Sequence, residues 1–229
     1  CQDISAEEFE NLDDSFSHLE VLNLGFTNIA KLASLPKSLK ELDISMDWNM
    51  PAEEFEKLDA SFFQLEKLYI SHAPIATLSH LPRSLKKLHL VQCCDVPVEE
   101  LERLDESFSH LEALNVNHTK IAKIGSLPKS LKELDLRSCK DVPAEEFEKL
   151  NKSFAHLEVL DLYNTRIAKL ANLPKSLKSL NLFECYYIVA QELQQLKAFK
   201  KLQEICLPQT FHGDPIVQSL QLIKNVKFA

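Results

Sequence analysis

Four near-copies of one ten-residue segment constrain this chain more than any other feature: LPKSLKELDI at 35–44, LPRSLKKLHL at 81–90, LPKSLKELDL at 127–136 and LPKSLKSLNL at 173–182, each 46 residues after the last. Aligned on Leu-x-x-Leu-x-Leu/Ile/Val, units start at Leu19, Leu39, Leu65, Leu85, Leu111, Leu131, Leu157, Leu177 and Leu202, with spacings that alternate 20 and 26 and end at 25. Alternation inside each start, as at Leu134 and Leu136 around Asp135, describes a short strand with one buried face. The rest of each unit must bring the chain back so that the next strand begins parallel to the last. Units of this length then stack into a one-dimensional solenoid.

The two kinds of return differ in chemistry. In the 26-residue unit, Pro51, Pro97 and Pro143 precede Glu-Glu pairs and then apolar residues such as Phe55, Leu58 and Phe62. Proline in a first turn, acids near the positive helix end and apolar residues at i, i+3 and i+7 predict a helix. The 20-residue unit offers only Ile121, Ile124 and Leu127 before Pro128, which predicts an extended or single-turn return. Residues 1–18, with Phe9, Leu12 and Phe16, read as the second half of a 26-residue unit, so a longer parent chain is expected on that side. Asp214 and Pro215 predict an amphipathic helix through about Lys224, then a short strand, Val226–Phe228. The expected organisation is repeats over 1–208 and a C-terminal cap over 209–229.

The short unit, LEALNVNHTKIAKIGSLPKS at 111–130, resembles the 20-residue repeats of bacterial effector proteins of the Yersinia, Shigella, Salmonella and Legionella kind. The long unit, LKELDLRSCKDVPAEEFEKLNKSFAH at 131–156, is similar to the cysteine-containing repeats familiar from eukaryotic F-box proteins. The resemblance implies an α/β leucine-rich repeat horseshoe, with a parallel concave sheet of about nine to ten strands and alternating helical and extended convex segments. It also implies a protein partner, a host protein, reached by secretion from a bacterium. Some such effectors carry a ubiquitin ligase with a Cys-x-Asp motif. Cys1-Gln2-Asp3, Cys93-Cys94-Asp95 and Cys139-Lys140-Asp141 match it only because Cys1, Cys93, Cys139 and Cys185 form one structural column of the repeat. Buried there, a thiol acts as a small hydrophobe and weak donor. Its neighbours two strands away are out of disulfide reach, which fits a reducing, cytosol-type compartment.

Net charge of −8, from 34 acidic and 26 basic residues, argues against a surface built to neutralise phosphates, so nucleic acid is not an expected partner. The sequence has no apolar run long enough to span a membrane. Neither a phosphate-binding glycine loop nor a Ser/His/Asp arrangement is evident in a chain with three glycines. His72, His89 and His118 fall on successive strands with Asp135 on the next. Their offset positions converge poorly on one ion, so no cofactor, metal site or enzymatic activity is expected.

What remains is the concave surface. The residue after each leading Leu alternates in sign, from Glu20 and Lys40 to Glu158 and Lys178, which reads as register and solubility. Other columns vary and carry aromatic, Met, His and Arg residues, the chemistry of interface anchors. Phe26, Met46, Tyr69, His72, His89, His118, Arg137, Tyr163 and Phe183 are the candidates there, with Trp48, Tyr186 and Tyr187 beside the turns. The expected function is a protein-binding module, the targeting part of a secreted bacterial effector. The alternative is the substrate-recognition arm of a modular ubiquitin-ligase assembly. Oligomeric state is left open.

Overall fold

The computed structural model describes residues 16–27, 29, 31–46, 50–220 and 223–228. Among them, ten strands form one sheet in chain order: β1 (Val21–Asn23), β2 (Glu41–Asp43), β3 (Lys67–Tyr69), β4 (Lys87–His89), β5 (Ala113–Asn115), β6 (Glu133–Asp135), β7 (Val159–Asp161), β8 (Ser179–Asn181), β9 (Glu204–Leu207) and β10 (Asn225–Phe228). Every pairing is parallel and none slips. Leu22, Leu42, Leu68, Leu88, Leu114, Leu134, Leu160, Leu180, Ile205 and Val226 stand opposite one another across the sheet. A one-residue slip would turn this whole row outward, forfeiting roughly 2 kcal/mol for each leucine. The register is therefore fixed by burial, not by the three-residue strands themselves.

Several residues of the recurring ten have a structural task. The first leucine is fully buried at Leu35, Leu81, Leu127 and Leu173. The serine hydroxyl donates to the carbonyl of the preceding strand's leading leucine, Ser38 to Leu19 at 2.7 Å and Ser130 to Leu111 at 2.6 Å. The cation between proline and serine lies over a phenylalanine of the next unit: Lys37 is 5.1 Å from the Phe62 ring centroid, Arg83 5.3 Å from Phe108 and Lys129 5.6 Å from Phe154. Such contacts contribute about 0.5–1 kcal/mol each. The lysine after the leading leucine then pairs back one strand, Lys40 to Glu20 at 2.5 Å and Lys86 to Glu66 at 2.7 Å.

The convex side departs from expectation in one respect. Each long return is two single-turn helices instead of one helix: Ala52–Phe55 and Leu58–Ser61, Val98–Leu101 and Leu104–Ser107, Ala144–Phe147 and Leu150–Ser153. At the break the amide of Asp59 donates to the His80 carbonyl, and that of Asn151 to the Asn172 carbonyl, both at 2.8 Å. Those acceptors belong to the neighbouring short unit, so the bond that would continue the helix is spent on joining units. The short returns carry 3₁₀ turns at Leu32–Ser34 and Ile124–Ser126, and a longer 3₁₀ segment spans Ala190–Ala198.

The Glu-Glu pairs lie in the first helical turn, as expected. The second glutamate of each pair also fastens the preceding unit. Glu54 accepts from the Leu32 amide at 2.8 Å, Glu100 from Leu78 at 2.8 Å and Glu146 from Ile124 at 3.0 Å. Glu54 and Glu146 are buried and each also pairs with a lysine one turn on, Lys57 and Lys149.

At the C-terminal side the helix is Pro215–Gln218, shorter than the expected run to Lys224. Asp214 caps it by accepting from the Ile216 amide at 2.8 Å, and the Ser219 hydroxyl bonds the Ile216 carbonyl at 2.6 Å, closing the turn so that the chain can enter β10. The expected terminal strand is present. Phe9, Leu12, Trp48 and Cys1 lie outside the described residues. Phe16 is 51% exposed, whereas its counterparts Phe62, Phe108 and Phe154 are buried.

Candidate functional site: the concave face and its rim

Counting from each leading leucine, positions 1, 2 and 4 point outward along the strand, and positions 6 and 7 form the turn that follows. Position 1 is a set of ion pairs, Lys132 with Glu112 at 3.0 Å and Lys178 with Glu158 at 2.7 Å joining the two given above. All are exposed, and such pairs contribute little beyond register.

Position 7 places Phe26, Met46, His72, Gln92, His118, Ser138, Asn164 and Glu184 in the left-handed region, with φ from 53° to 62°. No glycine occupies position 7 in any of these turns. The strain, roughly 1–2 kcal/mol per residue, is held by a continuation of the sheet: the Phe26 amide donates to the Ser45 carbonyl at 3.0 Å, His72 to Val91 at 2.8 Å and His118 to Arg137 at 3.0 Å. The candidates Phe26, Met46, His72 and His118 therefore sit on the turn rim, not on the sheet.

Position 4 follows a local rule that sequence reading did not detect. Asn23, Asp43, Asn115, Asp135, Asp161 and Asn181 each use a side-chain oxygen to accept the amide two residues later, at 2.9–3.0 Å. This is an Asx turn, for which the short carboxamide or carboxylate is needed. The run of Asn and Asp at one column was the signal available. From β1 to β8 only Tyr69 and His89, on adjacent strands, break the rule; on β9 the column is held by Cys206. The amide that Tyr69 cannot cap, Ser71, is taken instead by the Ser45 hydroxyl at 3.2 Å. The two rings meet edge-on, 4.6 Å apart at 71°, and the Lys87 ammonium is 5.9 Å from the Tyr69 centroid. Burial, then the Lys87 cation, pushes the His89 imidazole down to about 4, so it is neutral at physiological pH.

The remaining candidates fall into two groups. Arg137 turns back onto Asp135 with a contact of 2.6 Å and reaches Asp161 at 3.7 Å, holding together two carboxylates on adjacent strands. Burial raises Asp161, against the bonds it accepts from the Tyr163 amide and Asn181. Tyr163 and Phe183 pack with ring centroids 5.4 Å apart, and beyond them Tyr186 and Tyr187 are 70% and 62% exposed. These four mark the rim at β7 and β8. His72 and His118 lie on the turns while His89 lies on the sheet, and Asp135 is held by Arg137. Among the described residues no three His, Cys, Asp or Glu side chains come together as metal ligands.

The cysteine column is buried. Cys93, Cys139 and Cys185 donate to the Ile70, Val116 and Leu162 carbonyls at 3.1, 3.1 and 2.9 Å. Thr119 and Thr165 share two of these acceptors, so thiol and hydroxyl alternate as caps of the inner turn. Burial pushes the Cys93 and Cys139 thiols up to about 12.

No family model matches the chain, and no curated protein sequence does. Solved structures resemble it throughout its length. The leucine-rich repeat-containing protein LegL7 from Legionella pneumophila superposes with a TM-score of 0.60 at 18% identity, over 98% of this chain and 86% of that one. An internalin, inlF, from Listeria monocytogenes gives 0.65 at 17%, over 98% of this chain but 64% of its own, less than two thirds. TLR13, in a complex with ssRNA13, gives 0.64 at 24%, over 93% of this chain and 33% of that one. At these identities the likeness shows the fold alone. The chain is a leucine-rich repeat solenoid, a ten-stranded parallel arc.

Proposed function

We propose that this chain is a protein-binding module that docks a folded host protein on its concave face, as the targeting part of a secreted bacterial effector. One observation carries the reading. Along β1 to β8, at a column where six positions obey a structural rule that stabilises the fold, two neighbours abandon it for a tyrosine and a histidine that touch. A scaffold gives up a capping bond only where another use outweighs it, and half-buried aromatics on a rigid surface are the residues that dominate binding energy. The second aromatic group, Tyr163, Phe183, Tyr186 and Tyr187, lies four strands from β4, about 19 Å at the spacing of parallel strands. A partner touching both groups must span that distance, as a folded surface does. The Legionella and Listeria neighbours favour a bacterial setting, and the net charge of −8 favours protein over nucleic acid.

The test is affinity capture from a eukaryotic lysate with paired baits, the wild-type arc and Tyr69→Asn/His89→Asn, read by mass spectrometry. Asparagine writes the scaffold's own residue into both positions, so the variant separates binding from folding. A protein retained by the wild type alone supports the reading. Identical retention by both baits, or retention of RNA in place of protein, contradicts it.

A further inference from the structure

The centre of the concave face carries charges that the fold itself leaves unmatched. Position 2 reads Glu41, Lys67, Lys87, Ala113, Glu133 and Val159 from β2 to β7, strand by strand. Lys67 pairs with Glu41 at 2.8 Å. Its other neighbour is Lys87, a like charge directly alongside, an arrangement that costs a few tenths of a kcal/mol or more. Among the described residues Lys87 has no carboxylate partner, and Glu133, two strands away, has no cation. Between them stands Ala113, where the flanking positions have long side chains. The perfectly alternating column beside it shows that this scaffold can pair its charges. Here it does not.

The small residue opens a depression. A hollow of about 300 Å³ lined by Lys87, His89, Ala113, Glu133, Arg137 and Asp161 meets a second, of about 240 Å³, across Lys87, Ala113 and Glu133. The second hollow runs back to Glu66 and Lys67 at the start of β3, so together they form an oblique trench with an alanine floor. Its charged banks are two strand spacings apart, about 9–10 Å. From position 1 at one end to position 6 at the other it accommodates roughly 16 Å of extended chain, four or five residues. His89 forms part of one bank, so the trench adjoins the ring pair already described.

We infer that the trench receives a linear segment of the protein partner that carries an acidic and a basic residue on opposite sides, the acid set against Lys87 and the base against Glu133. The inference rests on the concave-face reading and adds to it the chemistry of the segment. In an extended segment neighbouring side chains point to opposite sides, so an adjacent acid–base pair satisfies both banks at once. The floor admits backbone at this strand only, because a longer side chain at position 113 would fill it.

The experiment selects a phage-displayed library of random linear peptides against immobilised wild-type protein and, separately, against Lys87→Met, Glu133→Gln and Tyr69→Asn/His89→Asn. The wild type should enrich peptides with adjacent acidic and basic residues. Lys87→Met should lose the preference for the acid while keeping that for the base, and Glu133→Gln the reverse. Each substitution should weaken a synthetic copy of the enriched peptide about two- to fivefold, as expected for one half-exposed charge pair. Ala113→Leu should block the same peptide with both charges intact. Enriched peptides without charged residues that still depend on Tyr69 and His89 would overturn the trench assignment and leave the concave reading standing. Peptides retained equally by every variant would overturn both, and a library from which nothing is enriched would overturn the linear segment.

Discussion

Replacing Tyr69 and His89 together by asparagine should change stability by no more than about 1 kcal/mol. The losses are an edge-on ring contact, about 0.5–1.5 kcal/mol, and a weak cation–π contact from Lys87, about 0.5 kcal/mol. Against these stands a new Asx bond to the Val91 amide, at a net of about 0.5–1.5 kcal/mol, while at Ser71 the asparagine oxygen takes over an amide that the Ser45 hydroxyl already satisfies. The six existing caps show that the backbone there already has the geometry required. Gains and losses are of the same size, so the urea midpoint, followed by circular dichroism near neutral pH, should barely move and its slope should not change. Binding should respond quite differently, since a truncated tyrosine at the centre of an interface costs about 2 kcal/mol or more, roughly a thirtyfold loss of affinity. A loss of more than about 3 kcal/mol of stability would refute the reasoning. The rings would then be core residues and their departure from the Asx rule a matter of packing.

Further outcomes follow from the same structure. Glu146→Ala should destabilise by about 2–3 kcal/mol in urea, because the buried Ile124 amide and the half-buried Gly125 amide lose a charged acceptor at 3.0 and 3.3 Å, whereas exposed Glu145→Ala should stay within about 0.5 kcal/mol. For Glu146 itself burial pulls the carboxyl upward, but the Lys149 pair and the two amides outweigh it and the net is downward. Its contribution is present above the unfolded carboxyl's titration and is lost as pH falls below that, a dependence Glu146→Gln should flatten. His89 works in the same direction through a different group: the unfolded imidazole takes up a proton below about 6.5 while the folded one waits until about 4. Stability therefore falls as pH drops through that window, by about 1–2 kcal/mol after allowance for its partial exposure, and equal slopes for wild type and His89→Asn would contradict this. Alkylation of the native protein, mapped by mass spectrometry, should modify exposed Cys94 well before Cys93, Cys139 and Cys185, whose protonated thiols are buried. Equal rates would show that the column is open to solvent.

The sheet was legible in the sequence because its signal is redundant. Leu134 is marked by its own period-two neighbours and again by its equivalents 20 and 26 residues away, and burial punishes any other register. The position 1 pairs were legible for a similar reason, being simple charges on known neighbours. The convex helices were not, because the break at Asp59 is caused by a bond to His80, an acceptor 21 residues away that no local pattern announces. The concave candidates were chosen by residue type, and type alone mixes three situations. Met46 and His118 are on strained turns, Arg137 is committed to two aspartates, and Tyr69 and His89 stand where the scaffold's rule is broken. Separating them required the position 4 hydrogen bonds. The trench escaped notice altogether because its key residue is an alanine, whose contribution is the space above it.

The most direct measurement places a photo-crosslinking amino acid, p-benzoylphenylalanine, at Tyr69 on the concave face and, in a second variant, at Phe63 in the turn between Leu58–Ser61 and β3, off the concave sheet, where the native residue is 66% exposed. Both are irradiated with the partner recovered by affinity capture. The account predicts a covalent adduct from position 69 and none from position 63. An adduct from position 63 alone would place the partner on the outer surface and contradict the concave assignment.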